Sequence, residues 1–233
     1  MASFQRLYTL AEMLIKGEAT ADIGADHGIL TRFLVEKAIA SKVIASEYTD
    51  GPYQRLQGCL KDSPGQERIE IRQGDGLAVL KPGEVVNVVL AGLGGEAMVK
   101  IIAADYAKAR SFKRYVFQPM SRVEVLRKEL CQQGWPILEE RLIDENGRLF
   151  VALSAYPGTK PYVLSPLEID IGPLILRSTG ILWVRYLRQY LYKYKLVYTG
   201  LLRSRLESQE NLARLNEYRY RIKQLEAILF GTS

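Results

Sequence analysis

Residues Val85–Ala91 form a run that is apolar at every position but Asn87 and leads into Ala91-Gly92-Leu93-Gly94-Gly95. A strand that is apolar at successive positions has no face to offer to water, so it belongs inside a sheet covered on both sides. Parallel strands joined by helices make such a sheet, and the rest of the first 155 residues supplies them. Ala19–Gly24 reads as a short strand entering a turn, with a helix over Ile29–Ala40. Lys42–Glu47 is a second strand, followed by a helix from Pro52 to Leu60 with proline at its first helical position. Arg68–Arg72 alternates apolar and charged residues as an edge strand does. Glu96–Ala104 reads as helix, Arg114–Gln118 as a fifth strand, and Arg122–Gln133 as a helix ended by Gly134. Ile137–Ile143 and Arg148–Ala155, joined by Asp144-Glu145-Asn146-Gly147, read as a β-hairpin. The expected class is α/β, a Rossmann-like doubly wound sheet closed by an antiparallel C-terminal hairpin.

The pattern then changes. Tyr156–Pro173 is rich in Pro and Gly and reads as a connector into a first turn of helix. Val184, Leu187, Leu191, Tyr194, Tyr198 and Leu201 follow 3-4 spacing, as do Leu212, Leu215, Tyr218, Ile222, Leu225 and Leu229. Two such stripes predict a helical domain folded as an antiparallel coiled coil, with its break within 203–209. The expected domains are therefore 1–157 and 158–233. The stripes pair within one chain or between two, and a monomer is the expectation.

Charge follows the same division. Residues 1–159 hold 20 Lys+Arg and 20 Asp+Glu, whereas residues 160–233 hold 12 and 6, so the whole excess of +6 lies at the C-terminal end. A neutral front with a basic tail suits a small-molecule site joined to a polyanion-binding element, although a basic solvated helix surface gives the same count. Cys59 and Cys131 are isolated and His27 is the only histidine, which argues against a metal site or a disulfide framework and fits a reducing cytoplasm. No apolar run is long enough for a membrane span, and residues 1–6 lack the apolar core of a secretion signal.

The ends of the expected strands carry the candidate chemistry. The first leads through Asp22-Ile23-Gly24-Ala25-Asp26-His27-Gly28, where Gly24 lets the backbone pass close to a ligand. No full G-x-G-x-x-G fingerprint is present, which disfavours a dinucleotide diphosphate. Asp22 and Asp26 instead suit a ligand with a positive charge at that end. Glu47, 23 residues beyond Gly24, is placed to accept from both ribose hydroxyls, or is a surface residue at a strand terminus. Asp75, between Gly74 and Gly76, is placed for an adenine amine, or makes a plain Asp-Gly turn. Ala91, Gly92, Gly94 and Gly95 leave backbone open for a flat base or the group being transferred, or form a flexible loop. Gln118 ends the fifth strand on the same edge, as a base contact or a polar terminus.

ADIGADHG (21–28), DGPYQ (50–54), RQGDGLAVL (72–80), VVLAGLGGEAM (88–98), FQPMSRVEVLRKEL (117–130) and GWPILEERLIDENGRLF (134–150) together resemble the bacterial tRNA (adenine(22)-N(1))-methyltransferase family. The likeness runs in order over about residues 5–155, and the C-terminal helices resemble that family's coiled-coil domain. It implies a class I methyltransferase fold, S-adenosylmethionine as cofactor and tRNA as partner. It also implies cofactor contacts from Asp22, Gly24, Asp26, His27, Glu47, Asp75 and Gly76, with Ala91 and Gly92 beside them. Asp26, His27, Gly92, Gly94 and Gln118 become the candidates nearest the transferred methyl and the target base. Two departures stand out: Gly28-Ile29-Leu30-Thr31 where the family often has Tyr-Leu-Pro, and Met120 where it commonly has Asn after Gln-Pro.

The resemblance implies chemistry that needs little acid–base help. Adenine N1 carries an in-plane lone pair and is unprotonated at neutral pH, so positioning and electrostatics suffice. His27 then has a positioning role rather than that of a base. The target base must be unpaired or extruded to expose N1. Arg185, Arg188, Lys193, Lys195, Arg203, Arg205, Arg214, Arg219 and Lys223, with Arg177 and Arg221, are the candidate phosphate contacts. Tyr186, Tyr190, Tyr192 and Tyr220 interleave as stacking candidates, whereas Tyr194 and Tyr198 are expected to pack between helices. Two other readings remain at this stage: a methyltransferase of another RNA or a small metabolite, and an RNA-binding protein without catalysis.

Overall fold

The computed structural model describes residues 5–203 and 209–231. The chain divides into two compact units between Leu174 and Ile175. The first is built on a seven-stranded sheet. Five strands are parallel: β1 (Thr20–Ile23), β2 (Val43–Glu47), β3 (Ile69–Gln73), β4 (Asn87–Ala91) and β5 (Arg114–Gln118). β6 (Ile137–Glu145) and β7 (Arg148–Ala155) form the antiparallel hairpin, and the order is β3-β2-β1-β4-β5-β7-β6. The hairpin turn has Asn146 at φ 54° and Gly147 at φ 80°, the two positive values a type I′ connection requires.

Around the sheet lie α1 (Gln5–Glu12), α2 (Ile29–Glu36), α3 (Asp50–Leu60), α4 (Gly95–Ala103), α5 (Tyr106–Ala109), α6 (Val123–Gln132) and α7 (Pro166–Ile171). On one face Val88 and Leu90 of β4 join Met98 and Ile102 of α4 and Leu126 and Leu130 of α6. On the other, Val89 joins Leu10 of α1 and Leu30 and Leu34 of α2. Each of these β4 side chains contributes roughly 1.5–3 kcal/mol by leaving water. Asn87, the one polar residue in the run, is fully buried and exchanges hydrogen bonds with the backbone of Ile15.

Three details differ from expectation. Pro52 is the third residue of α3, behind Asp50 and Gly51, with Thr49 at the N-cap. First-turn N–H groups have no acceptor inside a helix, so proline costs nothing there. α2 stops at Glu36, because Ala38 at φ 51° closes it with bonds from Ala38 N to Val35 O and Ile39 N to Leu34 O. The short helices α1 and α5 were not expected.

The division between units also falls later than residue 157, because the connector packs on the first unit. α7 begins with a capping box made by Ser165 and Glu168. The Arg127 and Glu140 side chains, both 0% exposed, then clamp its far end. Arg127 Nε donates to Glu140 Oε1 at 2.7 Å, and its Nη1 donates to the carbonyls of Ile169 and Asp170. Glu140 Oε2 accepts from Leu174 N at 2.9 Å.

The second unit contains α8 (Ile181–Arg203) and α9 (Gln209–Phe230), packed against each other. The expected break lies between them, and residues 204–208, with Arg205, are outside the described residues. Leu187, Leu191, Tyr194, Leu201, Leu215 and Leu225 are buried as the stripes require, whereas Leu212 is 50% exposed. Tyr186, Tyr190 and Tyr194 form an edge-to-face ladder that continues to Tyr218 of α9. No helix among the described residues is long and apolar enough to cross a membrane.

Removing one partner of a buried ion pair leaves the other charge unpaired at a cost of about 3–5 kcal/mol. Glu140→Ala is therefore expected to destabilise the first unit by that amount in urea unfolding; a loss below about 1 kcal/mol would show that the clamp is dispensable.

Candidate active site and nucleic-acid surface

The chain leaves β1 for β2 and β3 on one side, then returns to β4 on the other, so the strand order reverses between β1 and β4. Ligands of open α/β sheets bind in the crevice beyond the carboxyl ends of strands at that point. Two cavities occupy it. One of about 160 Å3 is lined by Asp22, Gly24, Asp26, His27, Ala91, Gly92 and Gln118, with Arg6, Leu7, Leu10, Ala25, Ile29 and Leu30. The other, about 120 Å3, is lined by Gly24, Glu47, Asp75 and Gly76 with Ile23, Ser46, Tyr48, Gly74, Leu93 and Ile101. Gly24 is common to both, at φ 76°, a conformation that only glycine adopts without strain.

Hydrogen bonds across the strand ends set this shape. Gly24 N and Ala25 N both donate to Ser46 O, and Asp26 N donates to Glu47 Oε1 at 2.6 Å. Glu47 thus shapes the turn after β1 as well as lining the second cavity. Gly92 N donates to Gln118 O, Met120 N to Leu93 O and Gly95 N to Ser121 O, which zips the loops after β4 and β5 together. Gly94 lines neither cavity; it caps α4 and pairs with Ser121. A Cβ on Gly95 would lie 2.2 Å from the Arg122 carbonyl oxygen, so that glycine is needed for the closeness of these loops.

Asp22 is the most perturbed group of the site. It is 3% exposed, and burial pushes its carboxyl up to about 6. The hydrogen bond from Thr31 Oγ1 at 2.7 Å opposes that rise, and the nearby Glu47 charge adds to it. Asp26 and His27 are exposed. Asp26 receives Arg55 Nη1 at 3.2 Å, and its Oδ2 lies 3.7 Å from His27 Nε2. His27 Nδ1 is 3.8 Å from Cys59 Sγ. Gln118 is buried, its amide donating to Pro119 O and approaching the sulfur of Met120 at 3.5 Å. Among the described residues no group of three or more His, Cys, Asp or Glu could hold a metal ion.

A carboxylate held in a cavity with a raised pKa suits a cationic group, and Glu47 and Asp75 beside the neighbouring cavity supply acceptors for hydroxyl and amine groups. The turn after β1 lacks the glycines of a diphosphate loop. These features fit a sulfonium nucleoside. A family model described as a methyltransferase domain matches residues 4–153. The chain belongs to this methyltransferase family. It is 28% identical over 229 residues to the tRNA (adenine(22)-N(1))-methyltransferase of Bacillus subtilis strain 168, covering 97% of this chain and 96% of that one. The crystal structure of the Bacillus subtilis m1A22 tRNA methyltransferase superposes with a TM-score of 0.86 at 27% identity, over 98% of each chain. An uncharacterised protein of Listeria monocytogenes serotype 4b does so with 0.86 at 30%, over 97% of this chain and 98% of that one.

In this methyltransferase, sequence reasoning missed the wall made by Arg6, Leu7 and Leu10, the ring of Tyr48 and the Arg55 partner of Asp26. Leu7, Leu10, Ala11 and Leu14 have helical spacing and could have signalled α1. On the helical unit, Arg188, Lys193, Lys195, Arg203, Arg214, Arg219 and Lys223 are exposed and Arg185 is half-buried. Lys195 pairs with Glu226 at 2.6 Å, and Lys193 lies over the Tyr190 ring. Arg221 lies over Tyr194 and Tyr218 and pairs with Glu217, so it is held within the helical pair. Tyr186 is buried, which removes it from the stacking candidates, whereas Tyr192 and Tyr220 are 67% and 63% exposed. A concavity of about 720 Å3 on α8 gathers Trp183, Tyr192, Arg185 and Arg188.

The rise of Asp22 from 3.8 to about 6 has a definite sign. The folded state holds the proton more tightly, so the contribution of Asp22 to stability is fully present below about 3.8 and is lost as pH rises through 6, by about 3 kcal/mol in all. Asp22→Asn is expected to gain that much on the wild type between pH 4 and pH 8, read by denaturant unfolding. A constant difference across that range would refute the assignment.

Proposed function

We propose that the protein transfers a methyl group from S-adenosylmethionine to N1 of an adenine in tRNA, at position 22, as a cytoplasmic monomer. The observation that carries the reading is the buried Asp22 carboxylate in a cavity adjoining that of Glu47 and Asp75, at the switch point of a methyltransferase sheet. The choice of substrate is supported by the name and coverage of the Bacillus subtilis relative. Two unbridged cysteines support a reducing compartment. The packing of α8 on α9 within one chain supports a monomer.

When bound, S-adenosylmethionine supplies an electrophilic methyl on a cationic sulfur. Asp22 and Asp26 would hold its methionine end, with Gly24 keeping the turn between them close, while Glu47 would accept from the ribose and Asp75 with Gly76 would take the adenine. Gly92 and Gln118 face the same cavity as Asp22 and orient the target base, with Ala91 as its floor; Gly94 acts by holding the loop. His27 positions the turn through Asp26 and removes no proton, because the attacking nitrogen has none to lose. Catalysis is the work of the first unit. The exposed cations of α8 and α9 capture tRNA phosphates, with Trp183, Tyr192 and Tyr220 available for stacking.

The direct test is incubation of the purified protein with unmodified tRNA and labelled S-adenosylmethionine, followed by nucleoside mass spectrometry. 1-Methyladenosine, mapped to position 22, is expected, and His27→Ala should retain turnover within about tenfold. No methylated nucleoside would overturn the reading; a loss of several orders of magnitude in His27→Ala with cofactor affinity intact would make that residue the base.

Ionised Asp22 favours the sulfonium, so affinity for S-adenosylmethionine should fall about tenfold per pH unit below 6, and that for neutral-sulfur S-adenosylhomocysteine less. Thr31→Val removes the bond that opposes the rise and should move the inflection to higher pH. Calorimetric titrations with identical pH profiles for the two ligands would show that Asp22 does not sense the sulfur.

A further inference from the structure

Arg6 of α1 is the one Lys or Arg among the described residues that line the Asp22 cavity. Its surroundings are otherwise acidic: Asp22 and Asp26 face the same space, Glu47 is bonded to Asp26 N, and the neighbouring Arg55 is engaged by Asp26. Such a site suits a cationic cofactor but repels the phosphodiester of a strand delivering a base into it. The chemistry proposed above therefore needs a cation beside this cavity whose N–H edge is not tied up in a short charge-assisted bond.

Arg6 has the geometry for that task. Its guanidinium carbon lies 5.4 Å from the centroid of the Phe150 ring, and that of Arg148 lies 4.9 Å from the same centroid. A ring holds a guanidinium by its face and leaves the N–H edge available for oxygen acceptors. The acid facing Arg6 is Glu145, with Oε2 3.6 Å from Nε. That separation exceeds the 2.7–2.9 Å of a charge-assisted bond, so Glu145 is a partner a phosphate can displace. Phe150 itself is buried, 8% exposed, which fixes the platform in the core. Arg148 is exposed at the start of β7.

On the reading that the substrate is an RNA, we propose that Arg6, which shares the Phe150 ring with Arg148, receives a backbone phosphate of the strand that carries the target base. The pair makes α1 and the β6–β7 hairpin part of the substrate site. It compensates, for the polyanion, the carboxylates that serve the cofactor.

The test compares wild type, Arg6→Gln, Arg6→Lys and Arg148→Gln by tRNA binding over a salt series, with tRNA kinetics and S-adenosylmethionine calorimetry alongside. Loss of one phosphate contact should flatten the slope of log affinity against log salt by about 0.7–0.9. For Arg6→Gln, kcat/KM for tRNA should fall about 10–100-fold while the cofactor Kd stays within about twofold. Arg6→Lys should recover part of the loss, and Arg148→Gln should show a smaller effect of the same sign. An unchanged salt slope and kcat/KM in Arg6→Gln would overturn the proposal, as would a parallel loss of cofactor affinity. Wild-type protein that binds tRNA but makes no 1-methyladenosine would sink the functional reading while the slope still decides Arg6. Wild-type protein that does not bind tRNA would sink both.

Discussion

Val88 and Leu90 of β4 pack towards α4 and α6, while Val89 between them packs towards α1 and α2, so the central strand touches water on neither face. Helices must then cover both sides, and the connections must cross over rather than turn back. Crossover places all five parallel strands with their carboxyl ends along one edge. The reversal of order between β1 and β4 leaves an open crevice at that edge, and both cavities lie there. The site is thus a consequence of how the core is covered.

Within the crevice two opposed electrostatic demands meet. A cationic cofactor is held best by carboxylates, and Asp22 is kept where burial makes its charge costly in the absence of a cation. Thr31 moderates that cost by one hydrogen bond. An RNA substrate demands the opposite sign. On the proposed function, the exposed cations of α8 and α9 would meet that demand on the second unit, with Arg6 and Arg148 on the first. On the same proposed function, the stability lost at Asp22 would serve the binding of a cationic cofactor.

The candidate site was legible to different depths at different residues. Glu47 and Asp75 could be picked out as candidates because one ends β2 and the other follows β3 by two residues, and the ends of parallel strands share one edge. The second duty of Glu47, accepting from Asp26 N, could not be found. It depends on the separation of two turns 21 residues apart in the chain. Gly94 carries the signature of a ligand loop but serves to cap α4 and zip two loops together. The Tyr186 side chain looks like a stacking platform by spacing and is instead buried in an aromatic ladder. Arg205 lies outside the described residues.

By itself the sequence determined the α/β class, the order of the seven strands along the chain with the helices α2, α3, α4 and α6 between them, the hairpin, the basic helical pair and the acidic and glycine-rich strand ends. These rest on periodicity and turn chemistry, which act over a few residues. Tertiary structure alone decided that α1 walls the Asp22 cavity and that Asp22 holds its proton up to about pH 6. It also decided that Arg127 and Glu140 bind the connector to the first unit as far as Leu174. Each of those outcomes depends on burial and on distances between groups far apart in the chain, which local spacing does not encode.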